Sequence, residues 1–454
     1  MKNKDDFGKI PVAEMPLSGR HWLVWAVSSM EQVIGAVLST LVGIAIPMIQ
    51  LCAGHGQELS GLMQGVVGAA GLLGIAVGSP VIGRISDREG YLLWFRICPL
   101  LIFAASVCIF LFPSKWVLVP ALFVAGFGVG GGYTLDSDYI SEMMPAKWRQ
   151  MMVGAAKATC AIGFCGSAAL CWWWLATGLP ASRWGDIFLI MGALGLITFL
   201  FRIEWAGSPR WLIDHGFTHK AQEAARKLLG PEAEAVPIPK QKEAQQEMTW
   251  GDMFKGENLT KVIFSGVTWA CEGVGVYGVG VFLPLLIIAL GFDRTHALRM
   301  AKVINSVEMT TLVNFFIIPG FLLGLLIVRR VNHGRMMTWG FLLSAAGMGL
   351  LLWAYHAEWP VWISIVAFMT FEIALNGGPH LVTFIIPTEI YPVSCRGLGD
   401  GIASMFGKAG AIIGVFLMPL LLEAGGITLV LIVCIATMLV GAAVSAVLTP
   451  RVLP

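Results

Sequence analysis

Apolar runs of twenty or more residues recur from one end of the chain to the other, separated by short polar breaks. Windows between those breaks predict twelve spans, at about 21–50, 59–82, 91–112, 116–140, 151–177, 184–203, 259–290, 298–328, 336–355, 359–386, 398–423 and 426–448. Each is long enough to cross a hydrocarbon core of roughly 30 Å as a helix. One segment breaks the series. Residues 204–258 are rich in Lys, Glu, Gln and Pro and too charged to enter lipid, so the spans fall into six plus six. Within that segment Ala221, Ala224, Ala225 and Leu228 recur at i, i+3, i+4 and i+7, the apolar face of a short amphipathic helix. The predicted organisation is an N-terminal segment (1–20), a six-helix bundle (21–203), the central loop (204–258), a second six-helix bundle (259–448) and a tail (449–454).

Composition sharpens this reading. Of 454 residues, 57% are hydrophobic and only 13% charged, against about 25% charged in a soluble domain. That excludes a soluble enzyme, and the net charge of +2 leaves no polybasic surface for nucleic acid. Met1 to Arg20 lacks the apolar core and cleavage site of a signal peptide. The nine cysteines sit mostly inside apolar spans and show no metal-ligand spacing, so they read as buried thiols. No nucleophile–base pair or metal motif suggests an enzyme, and no metal or other cofactor is expected. The cations set the orientation. Arg84, Arg88, Arg96, Lys147, Arg149, Arg329, Arg330, Arg335 and Arg396 fall on one side, against Lys115, Arg183, Arg294 and Arg299 on the other. Both termini are therefore expected in the cytoplasm, with the chain a multi-pass protein of the inner or plasma membrane.

The sequence also repeats itself. Glu142-x-x-Pro145-x-x-x-Arg149 follows the fourth span, and Glu389-x-x-Pro392-x-x-x-Arg396 precedes the eleventh. The copies occupy equivalent loops of the two halves, the pattern of alternating-access carriers built from repeats related by a pseudo-two-fold axis, with the substrate near the midplane. An ordinary interfacial ion pair is the plainer reading of each copy.

These motifs resemble the major facilitator superfamily, and within it the sugar-porter-like and phosphate:proton-symporter-like branches. Gly83…Asp87-Arg88-x-Gly90 is similar to the superfamily's loop after the second span, although Tyr91 and Leu92 stand where basic residues are usual. Tyr139-x-x-Glu142-x-x-Pro145-x-x-x-Arg149 matches the fourth-span pattern, and Pro387-x-Glu389-x-x-Pro392-x-x-x-Arg396-Gly397 the eleventh-span one. Gly207-Ser208-Pro209-Arg210-Trp211-Leu212 resembles the motif after span six, with Gly207 for the usual Glu. The resemblance implies an all-α membrane fold of twelve helices in two six-helix bundles. It also implies a cytoplasmic gating network of Asp87, Arg88, Glu142, Arg149, Glu389 and Arg396. Residues 129–142, Asn376-Gly377-Gly378-Pro379 and Gly407-Lys408-Ala409-Gly410 look like the phosphate branch, which assigns Tyr133, Trp269, Tyr277 and Lys408 to substrate. Departures are Gly132 for the signature Asp, Ile162 for a Gln, Glu272 one position off an Asp, and Glu31 for a first-span Asp.

Ionisable side chains inside apolar spans cost several kcal/mol and mark function by default. The first half offers Glu31, Asp136, Asp138 and Lys157, and the second Glu272, Glu308, Glu372 and Lys408. Desolvation favours the neutral form of a carboxyl, the property a proton-coupled carrier needs, so Glu31, Asp136, Asp138 and Glu272 are candidates for proton coupling. Asp136 and Asp138 lie about 200° apart around a helix and cannot share one cavity; Asp136 is expected to face the pathway. His380, next to Pro379, reads first as an ordinary hydrogen-bonded buried imidazole, with a group titrating near neutrality as the alternative. Lys408 stands about 18 Å beyond Arg396 along a straight helix and needs an anionic partner, either a protein carboxylate or the substrate; Lys157 is a second candidate cation. The expected function is proton-coupled symport of a small organic anion by a monomer in the bilayer. Carriers of a zwitterion, cation, sugar or inorganic phosphate, and a non-transporting membrane sensor, are the alternatives.

Overall fold

A computed structural model describes residues 10–52, 59–236, 250–291, 299–391 and 396–453, with the side chains of Asp87, Gln150, Arg299, Thr388 and Arg396 outside the described set. Among these residues, eleven helices are long and apolar enough to cross a membrane. They are Gly19–Leu51, Gly61–Ser86, Tyr91–Leu111, Lys115–Met143, Met151–Ala176, Ala181–Arg202, Gly256–Ala289, Met300–Ile327, His333–His356, Val361–His380 and Leu398–Val452. The last contains two spans. Gly425 and Gly426 leave helical geometry inside it, and Gly426 adopts φ 64°, ψ −166°, a conformation open essentially to glycine alone. Twelve spans result, numbered here in chain order, with the eleventh before this break and the twelfth after it.

Local chemistry sets the ends. Ser114 caps span 4 by accepting from the Trp116 amide, and Gly90, at φ 92°, separates spans 2 and 3. In the central loop, Ser208 accepts from the Trp211 amide to start a short helix, Pro209–Asp214. Helix Thr218–Leu229 follows and buries Ala221, Ala224, Ala225 and Leu228 along one face. Beyond it, Ala233–Glu234 pairs in parallel with Ile10–Pro11, so the N-terminal segment and the central loop share a two-stranded ribbon.

Two spans contain π-helical turns, Val274–Val279 in span 7 and Asn376–His380 in span 10. Pro379 lacks an amide donor, which accounts for the loosened turn in span 10. In span 7 the glycines of Val274-Gly-Val-Tyr-Gly-Val279 allow the same widening.

The chain forms two compact units that do not coincide with its two halves. The first holds residues 1–38, 73–163 and 185–243; the second holds 39–72, 164–184 and 244–454. In the first unit Val24, Val27, Phe95, Tyr139, Met143, Met152 and Trp205 form a continuous core. In the second, the end of span 1 and the start of span 2 pack on spans 7 and 11. A Cβ at Gly43 would overlap the Val281 carbonyl, and one at Gly65 the Phe416 carbonyl. The Gly61 amide donates to Glu423 at 2.5 Å, and the Cys165 thiol in span 5 to the Asn314 carbonyl at 3.0 Å. Small residues let backbones approach closely where no hydrophobic force separates helix from lipid.

Candidate functional site

In the first unit, spans 1, 4 and 6 meet at three charged side chains. Arg202 donates to both carboxylate oxygens of Glu31 at 2.5 Å and to Asp136 Oδ1 at 2.8 Å. It also reaches the carbonyls of Val27 (2.8 Å) and Phe95 (3.1 Å), and its guanidinium lies 3.6 Å from the Phe95 ring centroid. All three are essentially inaccessible, at 0%, 1% and 0% exposure for Glu31, Asp136 and Arg202. The planar fork of arginine suits such bidentate capture of carboxylate. Two carboxylates share one cation, and Asp136 Oδ2 is buried without a hydrogen-bond partner among the described residues.

The place of Glu31 is made by glycine. A Cβ at position 132 would overlap Glu31 Cγ, and one at Gly35 would overlap the Tyr133 hydroxyl. Spans 1 and 4 thus interlock, each large residue filling the gap opposite a glycine of the other helix. Gly132, a departure from the resembled signature, is what admits a glutamate from span 1.

Contrary to the expectation that Asp136 faces the pathway, it turns inward to Arg202 because that is the side on which span 6 presents a guanidinium. Asp138, on the other side of the helix, is only partly buried. Lys157 is also partly buried, its ammonium 5.0 Å from the centre of the Tyr133 ring. Arg202 itself was not singled out by the sequence, since a cation in the last turn of a span reads as an interfacial anchor.

In the second unit, polar side chains line up along span 10. Asn376 donates to the Glu372 carboxylate at 2.9 Å, and His380 Nδ1 lies 3.1 Å from Asn376 Oδ1. The same nitrogen is 3.7 Å from Glu272 Oε1 of span 7. Glu272, Glu372, Asn376 and His380 are all buried. Lys408 is half-buried on span 11, whose backbone runs beside Glu272: a Cβ at Gly273 would overlap the Gly407 carbonyl. Glu308 is exposed. Trp269 is buried one turn before Glu272 and meets Phe384 edge-on at 4.9 Å. A Cβ at Gly407 would press on the Trp269 ring. Tyr277 lies within the π turn of span 7 and is partly exposed.

The gating network is only partly within view. The side chains of Asp87 and Arg396 lie outside the described residues, as does Arg294. Arg88 is exposed. Glu142 accepts from the Ser208 hydroxyl, and Tyr139 donates to the Ala206 carbonyl at 2.9 Å, so the motifs after spans 4 and 6 are joined. Glu389 lies 2.7 Å from His333 Nδ1. Arg149 has a buried Nε without a hydrogen-bond partner among the described residues.

Comparison with known proteins places this geometry. The profile described as "Sugar (and other) transporter" matches residues 27–452. The inner membrane metabolite transport protein YgcS of Escherichia coli is 25% identical over 429 residues, covering 94% of this chain and 91% of its own. The niacin transporter NiaP of Acinetobacter baylyi is 22% identical over 411 residues, covering 88% and 87%. The xylose transporter XylE from E. coli, in a partially occluded inward-open conformation, aligns with a TM-score of 0.76 at 18% identity, covering 96% of this chain and 98% of that one.

Proposed function

Because the chain belongs to the sugar (and other) transporter family of the major facilitator superfamily, a multi-pass family of secondary carriers, we propose that it is a proton-coupled symporter of a small organic anion of the carboxylate class. The proposal places both termini in the cytoplasm and has the chain act as a monomer by alternating access, with the proton as coupling ion. The buried cluster of Glu31, Asp136 and Arg202 carries this reading. Arginine does not release its proton, so two ionised carboxylates leave the cluster with one uncompensated negative charge. A buried site tolerates that poorly. One proton on the carboxylate pair restores neutrality, and its uptake and release give the site two charge states for a transport cycle to use.

Anion selectivity is supported by Lys408 and Lys157, cations set within membrane spans. An ammonium there needs a negative partner, and a carboxylate substrate supplies one. In the first unit the Tyr133 ring lies under the Lys157 ammonium, and in the second Trp269 packs where a Cβ at Gly407, the residue before Lys408, would stand. The relative named as a niacin transporter acts on such a molecule, an aromatic carboxylate. A specific observation favours one other reading: both clusters hold two carboxylates per fixed cation, and a cationic or zwitterionic substrate would answer that imbalance as a proton does.

A thermal-shift screen of the purified protein against a metabolite library identifies the ligand. Proteoliposomes carrying an inward proton gradient then test the coupling. Accumulation of a carboxylate that stops when an ionophore collapses the gradient is the expected result. Accumulation indifferent to the gradient overturns proton coupling, and a preference for cations overturns the anion reading.

A further inference from the structure

The line of polar side chains in span 10 has a definite hydrogen-bond direction. Asn376 Nδ2 faces the Glu372 carbonyl and the Glu372 carboxylate, both at 2.9 Å. Both are acceptors, so the amide nitrogen must point at them and the amide oxygen at His380. His380 Nδ1 therefore carries a hydrogen, donated to Asn376 Oδ1 at 3.1 Å and lying 3.7 Å from Glu272 Oε1. Neutral His380 is thus held as the Nδ1–H tautomer, which leaves Nε2 as the atom that gains a proton.

Titratable groups approach this imidazole from several spans. Glu272 reaches the imidazole from span 7, and Glu372 reaches it through Asn376 from span 10 itself. Span 11 brings Lys408 alongside: a Cβ at Gly273, next to Glu272, would overlap the carbonyl of Gly407, the residue before Lys408. The Cys165 thiol of span 5 lies within electrostatic range of Glu372. Spans 8 and 9 meet this segment through Gly320, Gly324 and Phe321, and through Met336 and Gly340, none of them charged. The imidazole therefore lies between two carboxyl groups, Glu272 directly and Glu372 through Asn376. The π turn holding Asn376 and His380 is the kind of helix defect found at functional sites.

We propose that His380 is a second proton-binding site, and that its proton competes with Lys408 for Glu272. With His380 neutral, Glu272 engages the Lys408 ammonium. A proton arriving on Nε2 makes an imidazolium whose Nδ1–H is shared by Asn376 and Glu272, and the Lys408 charge is then available to an anion. No bond other than N–H forms, and the proton comes from water. Proton binding and anion binding become linked, each raising the affinity of the other. This rests on the proton-coupled anion reading and names the group through which the two ligands are linked.

The test needs no substrate, so its failure is separate from any failure of the transport reading. Protein labelled with ¹⁵N-histidine is reconstituted in lipid nanodiscs and titrated from pH 9 to pH 5 by solid-state NMR. The difference between wild type and His380→Gln isolates the His380 signals. The expected result is the Nδ1–H tautomer at high pH, converting to imidazolium on acidification. Asn376→Ala should lose the tautomer preference while the other histidine signals stay unchanged, which verifies the fold. Lys408→Met should raise the imidazolium-to-neutral ratio at fixed pH by about tenfold, the effect of removing one nearby cation, and adding Glu272→Gln should erase that increase. An Nε2–H tautomer, an imidazole neutral throughout, or a ratio indifferent to Lys408→Met overturns the proposal.

Discussion

In the first compact unit Glu31 and Asp136 share Arg202, closed off from solvent; in the second Glu272 and, through Asn376, Glu372 flank His380, with the half-buried Lys408 on the neighbouring span 11. Both regions hold more carboxylates than fixed cations. Their bases differ in what they can do. Arginine keeps its proton under all physiological conditions, so any change of charge in the first cluster falls on a carboxyl. Histidine exchanges a proton near neutrality, so the second cluster can change charge on its base. Position differs as well. Arg202 makes five hydrogen bonds to side chains and carbonyls of spans 1, 3 and 4 and ties the unit together. Lys408 is half-buried, and in the proposed reading a ligand competes for it. The proposed contrast is between a cluster on which the fold depends and one on which binding depends.

That separation is breakable by mutation. Arg202→Ala should lower stability by about 3–5 kcal/mol, because it leaves two buried carboxylates uncompensated, while Lys408→Ala changes stability by less than about 1 kcal/mol. Arg202→Lys should fall between, keeping the charge and losing the fork. Denaturant unfolding in detergent measures all three, and equal losses for Arg202→Ala and Lys408→Ala would erase the contrast. For binding the order reverses. Lys408→Ala should abolish binding of the carboxylate found by the screen, and Lys408→Arg should retain part of it; isothermal titration measures both. Normal binding by Lys408→Ala would make this lysine a structural partner of Glu272 only.

Within the first unit the two aspartates of span 4 sharpen the same division. Asp136→Asn should remove most gradient-driven accumulation, whereas Asp138→Asn, outside the arginine cluster, should reduce it by no more than about twofold. Comparable losses would show that transport does not depend on which carboxyl faces Arg202. The smallest effect is expected at the link between the motifs after spans 4 and 6. Ser208→Ala removes a hydrogen bond to Glu142 and a helix cap, for a loss of about 1 kcal/mol seen as a lower unfolding midpoint with ligand affinity unchanged.

The spans and the six-plus-six division were legible because an apolar run is a local property. Glu31, Asp136, Glu272 and Lys408 stood out for the same reason, as charges in apolar surroundings. Arg202 did not, since two residues further on Glu204 already belongs to the polar segment and a boundary error of one turn moves Arg202 in or out of lipid. The inward turn of Asp136 follows from where span 6 lies against span 4, which helical periodicity within span 4 does not contain. Along span 10 the spacing of Glu372, Asn376 and His380 was visible, but the member that joins the two titratable groups is an uncharged amide. The division into units was hidden too, because it cuts spans 1, 2 and 5 at points where hydropathy is uninterrupted.

The gap at Gly132 has a meaning for descent as well as for packing. A side chain there would overlap Glu31, so a lineage cannot gain an aspartate at 132 while a glutamate of this conformation persists at 31. A change at either position alters the fitness of every change at the other. The two sites are therefore expected to diverge as a pair, with carboxylate on span 1 facing glycine on span 4 in one group of descendants, and a shorter or displaced first-span residue facing an acid in another. Gly132→Asp alone should therefore yield poorly folded protein, and shortening the residue at position 31 as well should restore folding.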